Sequence, residues 1–143
     1  MGKIKIFISS ILSLILASVF IYAGFIKLIN PNEFFIGILN YQILPEKLIY
    51  FSAYFLPPFE ILLGISLFKK STKNTALILM IILNFIFIGA IASAWIRGLD
   101  ISCGCFGSEE KTNYLNTILR DLGLILIAIL ILFLNKSTSH KDK

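Results

Sequence analysis

Apolar residues in this chain come in long unbroken runs rather than in short elements separated by polar turns. From Ile6 to Ile26 there is no charged side chain, and at 1.5 Å per residue such a run crosses roughly 30 Å of hydrocarbon. A second run, Leu48 to Phe68, contains Pro57, Pro58 and Glu60. The tandem prolines remove two amide donors and should kink that helix. A third run, Thr75 to Ile96, has Asn84 as its one strongly polar side chain and ends beside Trp95, an interfacial anchor. The fourth, Leu122 to Leu134, is too short alone, so its helix must begin near Ile118 or earlier and take in Arg120 and Asp121. The pattern therefore predicts four spans at about 6–29, 48–68, 75–96 and 116–135.

Lys3 and Lys5 precede the first run, so a cleaved secretory signal competes with a retained helix. The run is long for a signal, and no small-residue cleavage site closes it. A helix that stays is expected. After it comes Asn30-Pro31-Asn32-Glu33, where Asn30 suits a helix cap, Pro31 the first helical position and Glu33 the acid of a capping box. Phe34, Phe35, Ile38 and Leu39 then recur at helical spacing, as in a short helix lying flat on a membrane surface. An apolar loop is the alternative. The expected fold class is all-α: a four-helix transmembrane bundle with a short interfacial helix between spans one and two, forming a single domain over residues 1–143.

Composition agrees with this picture. The chain is 57% hydrophobic and only 15% charged, whereas a soluble domain carries roughly a quarter charged residues. With this much apolar surface, lipid must be the solvent. The net charge of +5 invites a nucleic-acid or acidic partner, but the charges sit at the ends of apolar runs, so no nucleic acid is expected. Lys3, Lys5, Lys69, Lys70, Lys73, Lys136, Lys141 and Lys143 fall on one side of a four-span topology, with Asp142 as the only acid. Lys27, Lys47, Arg97, Lys111 and Arg120 fall on or near the other, among Glu33, Glu46, Asp100, Glu109, Glu110 and Asp121. By the positive-inside rule both termini face the cytoplasm of an inner membrane, and the loop between spans three and four faces outward.

That loop holds the whole thiol inventory, Cys103-Gly104-Cys105. Structural zinc needs about four N or S ligands. Two thiols are present and His140 is expected across the membrane, so one chain cannot complete a metal site. Inert packing is a second reading, since free cysteine is a common small hydrophobe, yet these two lie in a polar loop. Redox chemistry is the favoured third. The outward side is where disulfides persist, and a bridge closing so small a ring is strained and easily reduced. Arg97 and Lys111 would favour a thiolate there, while Asp100, Glu109 and Glu110 oppose it.

Glu60 falls roughly 18 Å along the second span, a costly depth for an ionisable group unless it faces a partner inside the bundle. Lys27 and Arg120 are the candidates. In the alternative, both snorkel to the interface and Glu60 stays protonated. A proton-relay or ligand role for Glu60, helped by a polar cavity at the proline kink, is a further option.

Tyr22-Ala23-Gly24-Phe25-Ile26-Lys27-Leu28, Asn30-Pro31 with Phe34, Pro57 with Glu60 and Gly64, Cys103-Gly104-Cys105-Phe106-Gly107, and Arg120-Asp121 together resemble the MauE/DoxX group of redox-associated membrane proteins. The likeness runs from about Leu12 to Leu134. The cysteine loop followed by Arg-Asp is similar to the MauE branch in particular. The resemblance implies a four-helix bundle in the cytoplasmic membrane that supports disulfide formation in methylamine dehydrogenase, or passes thiol–disulfide equivalents to exported thioredoxin-like proteins. It implies Cys103 and Cys105 as the redox pair of a thiol–disulfide oxidoreductase, and Lys27, Glu60, Arg120 and Asp121 as the family's polar residues. There is no second cysteine pair of the kind that membrane thiol oxidases feeding quinones commonly use. Two other functions stay open: a bundle binding or transporting a quinone, lipid or small solute near Glu60, and a non-enzymatic membrane assembly subunit. A quinone is the one cofactor these readings admit.

Overall fold

The computed structural model describes residues 2–99 and 114–139. Cys103, Cys105, Asp100, Lys111 and His140 lie outside the described residues. Five helices follow one another: α1 (Gly2–Ile29), α2 (Pro31–Asn40), α3 (Glu46–Ser66), α4 (Lys73–Ile96) and α5 (Tyr114–Ser139). Among the described residues α1, α3, α4 and α5 are long and apolar enough to cross a membrane, and no more than 33% of any such span is buried within the protein. Lipid must cover the remainder, and the chain is a multi-pass membrane protein. The fourth spanning helix begins at Tyr114, two residues ahead of the expected 116, and takes in Arg120 and Asp121 as expected.

The four long helices close into a ring in which α1 packs on α3 and α5, α4 on α5, and α3 on α4. Two glycines set the α1–α3 approach. A Cβ on Gly24 would lie 2.7 Å from the Pro57 carbonyl oxygen, and one on Gly64 would lie 2.6 Å from Ile21. Helices in lipid gain little from burying apolar area against each other and associate by such close contacts instead. The core is filled by Leu16, Ala17 and Phe20 of α1, Leu63 of α3, Leu77 and Met80 of α4, and Ala128 and Ile131 of α5. Serines inside the spans turn their hydroxyls to the carbonyl four residues back: Ser13 to Ser9 at 2.6 Å, Ser18 to Leu14 at 2.8 Å and Ser66 to Leu62 at 2.7 Å.

The short helix α2 starts with Pro31 in its first turn after Asn30, but the Asn30 side chain makes no capping bond. Its inward face is Phe34 and Gly37, while Leu39 is exposed. The expected apolar stripe is thus displaced: helical spacing groups residues on a face, and the neighbouring helix selects which face is covered. Here α3 does so, with Phe35 set against Tyr50 at 4.5 Å between ring centroids. Helix α3 runs unbroken through Pro57 and Pro58.

Candidate functional site

Gly24 also determines where two charges meet. With no side chain there, α1 lies against Pro57, Ile61 and the Cβ of Glu60, which is 3.3 Å from an ideal Gly24 Cβ. Lys27 stands one helical turn beyond Gly24, about 4.5 Å along the axis. Helical side chains lean toward their own N-terminus. In these antiparallel helices Lys27 and Glu60 therefore lean toward each other. The Lys27 Nζ donates to Glu60 Oε1 at 2.6 Å and to Oε2 at 2.8 Å, and both side chains are 3% exposed. Lys27 does not snorkel.

Two aromatic faces complete the surroundings of the ammonium: the Phe34 ring from α2 at 4.9 Å and the Phe87 ring from α4 at 5.0 Å. A ring face attracts a cation, more so where water is excluded. One nitrogen atom is thereby contacted from α2, α3 and α4 while being carried by α1. The fifth helix supplies the second ion pair. Arg120 Nε and Nη2 donate to Asp121 Oδ1 at 3.0 and 2.9 Å, with Asp121 buried and Arg120 half-exposed. Adjacent helical positions do not face one another, so the guanidinium has folded back over its neighbour. Lys27, Glu60, Arg120 and Asp121 all line one cavity. The four residues are one charge-balanced cluster rather than two separate pairs.

Against this cluster lies a partly open cavity of about 40 Å³, lined also by Tyr41, Asn84, Ile91 and Leu124. The space is large enough to admit water beside the charged groups. Asn84 donates from Nδ2 to the Met80 carbonyl at 2.9 Å and presents its amide to this space. Sequence reasoning noted Asn84 as the polar residue of its span without assigning it to a site. The signal was the spacing of Asn84, Phe87 and Ile91, which put all three on one face of α4. Phe34 and Tyr41 gave no comparable signal, because their position depends on how α2 docks.

The connection carrying Cys103 and Cys105 leaves from this same end of the bundle. Helix α4 stops in a glycine-dependent turn: Gly98, at φ +65°, donates to the Trp95 carbonyl at 3.1 Å, and Leu99 donates to Ala94 at 3.1 Å. Just before it, Arg97 donates from Nη1 to the carbonyls of Tyr41 at 3.2 Å and Gln42 at 3.4 Å. The launch point of the cysteine segment is thus tied to the α2–α3 connection, and its return point at Tyr114 is six residues ahead of Arg120. The structure brings Lys27, Glu60, Arg120 and Asp121 together. The two cysteines fall among residues it does not describe.

Residues 5–134 match the family model described as methylamine utilisation protein MauE. The methylamine utilization protein MauE of Paracoccus denitrificans is 30% identical over 123 residues, which cover 84% of this chain and 66% of that protein. The chain thus spans a little under two thirds of that relative's length. No solved structure matches it. With the match extending from the first span through the fourth, this four-span membrane protein belongs to the MauE family.

Proposed function

We propose that this protein is a membrane thiol–disulfide relay in which Cys103 and Cys105 exchange with an exported thioredoxin-like protein or a disulfide-containing client. The observation that carries the reading is the pairing of the chain's two cysteines, two residues apart, in the connection between α4 and α5. That connection is anchored at the end of the bundle where all five helices converge on Lys27 and Arg120. The basic residues favour an inner-membrane orientation with both termini cytoplasmic, which would put the pair on the oxidising side.

The exchange balances without a further reagent. A client thiolate attacks one sulfur of the Cys103–Cys105 disulfide, and the other sulfur leaves as a thiolate. A second client thiolate then displaces the relay sulfur. The client is left with a disulfide and the relay with two thiols, having taken two electrons. A thioredoxin-like disulfide reverses these steps on the relay and regenerates it. The Paracoccus relative is named for methylamine utilization. By that likeness the client would be a disulfide-bearing protein of the same kind of metabolism.

Acid quenching and alkylation of intact cells tests this. Wild-type protein should show a reversible Cys103–Cys105 couple, and Cys103→Ser should accumulate a mixed disulfide through Cys105. Permanently reduced cysteines with no partner adduct would remove the proposal. A second reading, binding of a small polar solute, is favoured by the cavity at Glu60. It predicts that Glu60→Gln abolishes function while Cys103→Ser with Cys105→Ser stays active. An assembly subunit would tolerate both sets of changes.

A further inference from the structure

The Lys73 end of the bundle is built on a different charge rule from the Arg97 end. Where Lys27 and Asp121 are buried, each has an opposite charge within hydrogen-bond reach. At the other end Lys3 and Lys5 open α1, Lys69 and Lys70 occupy the turn after α3, Lys73 begins α4, and Lys136 closes α5. Among the described residues no acid lies there. Glu60 and Asp121 are committed to the central cluster, while Glu33 and Glu46 begin α2 and α3 at the far end.

Lys73 is the telling member. Its side chain is half-buried, and its Nζ donates to the Ser9 hydroxyl at 3.1 Å. Ser9 is 4% exposed and donates to Asn135 Oδ1 at 3.0 Å; Asn135 in turn donates from Nδ2 to Asn74 Oδ1 at 3.1 Å. Three helices therefore hold this ammonium in place, but only through neutral groups. A hydroxyl orients a cation without neutralising it, and a half-desolvated charge at a hydrocarbon edge favours a counter-ion.

We propose that the Lys69–Lys73 turn, with Lys73 seated on Ser9, binds the phosphate of an anionic phospholipid headgroup. The turn brings the backbones of Lys69 and Lys73 together, the Lys73 backbone N–H donating to the Lys69 carbonyl at 3.0 Å. Lys70 is exposed beside them. The Thr72 hydroxyl is turned back to Ser66 at 3.1 Å and so leaves the first turn of α4 uncapped, adding positive potential. Ile65 and Phe68, 54% and 64% exposed, continue the site into the hydrocarbon. That apolar surface directly below the ammonium groups selects a lipid over a free anion, since acyl chains have somewhere to lie.

The test uses the full chain in a neutral detergent, with phosphatidylglycerol, phosphatidylcholine or inorganic phosphate added at matched concentration. Bound lipid is read by native mass spectrometry and stabilisation by thermal unfolding. Phosphatidylglycerol should be retained and should raise the unfolding temperature; the other two should not. Lys73→Met should weaken phosphatidylglycerol retention about five-fold, the effect of one ammonium near an anionic headgroup. Lys73→Arg should restore it, and Lys136→Met, an equal change of charge away from the seat, should have a smaller effect than Lys73→Met. Ser9→Ala, which alters no charge, should also lower retention and provides the comparison should Lys73→Met not fold. Equal retention of phosphatidylcholine, equal stabilisation by inorganic phosphate, or full retention by both Lys73→Met and Ser9→Ala overturns the assignment.

Discussion

Replacing Glu60 by leucine isolates the central ion pair. The substitution removes both acceptors of Lys27, at 2.6 and 2.8 Å, and leaves an ammonium that is 3% exposed. Stripping one partner from a buried pair typically costs about 3–5 kcal/mol. The Phe34 and Phe87 faces, at 4.9 and 5.0 Å, contact the ammonium before and after the change, so their attraction cancels in the difference. Glu60→Leu should therefore cost about 3–5 kcal/mol. Lys27→Met removes both ammonium contacts of the buried Glu60 carboxylate, and should also cost about 3 kcal/mol or more. The double variant leaves no uncompensated charge and comparable volume, so it should return to within about 1 kcal/mol of wild type, with a coupling energy of at least about 2 kcal/mol. Denaturation in mixed micelles can follow the single tryptophan, Trp95, at the end of α4. Should Glu60→Leu lose less than about 1 kcal/mol, or the double variant be no better than the worse single one, the ion-pair argument fails.

Two further stability predictions use the same assay. Gly24→Ala places a Cβ 2.7 Å from the Pro57 oxygen and 2.8 Å from Ile61, and should cost about 1–3 kcal/mol by forcing α1 from α3. Gly89→Ala meets nothing within 4 Å and should be neutral or gain about 0.5–1 kcal/mol from the better helix former; an equal loss at both sites would contradict the close-approach account. Gln42 sits at φ +49° in the connection between α2 and α3, so Gln42→Gly should relieve about 1 kcal/mol of left-handed strain, and a destabilised variant would count against it.

The spans were legible in the sequence because a membrane imposes a one-dimensional rule. About 20 uncharged residues in a row have no other stable environment, so α1 and α4 follow from their runs alone, and α3 from a run that only Glu60 interrupts. The start of α5 was less legible, since Asn116, Arg120 and Asp121 interrupt its hydropathy. Their charges are tolerated because Asp121 faces the bundle and pairs with Arg120, which periodicity does not reveal. Pro57 and Pro58 suggested a kink within the second span, and both lie inside the helix Glu46–Ser66. The candidate polar residues were likewise identifiable singly, because an ionisable group inside an apolar run always demands an explanation.

The amino-acid order by itself determined how many times the chain crosses the bilayer, which positions carry charge at depth, and that its two thiols are neighbours. It could not decide whether Lys27 pairs with Glu60 or snorkels to the interface, nor show that Phe34 and Phe87 enclose the same nitrogen, nor distinguish Lys73 from the other basic residues at its end. Those outcomes depend on which helix faces contact which. Gly24 lets α1 and α3 approach closely, α2 folds back over α3, and Ser9, Asn74 and Asn135 join three helices around one ammonium. Contacts between residues distant in the chain are set by packing in three dimensions, and hydropathy along one dimension carries no record of them.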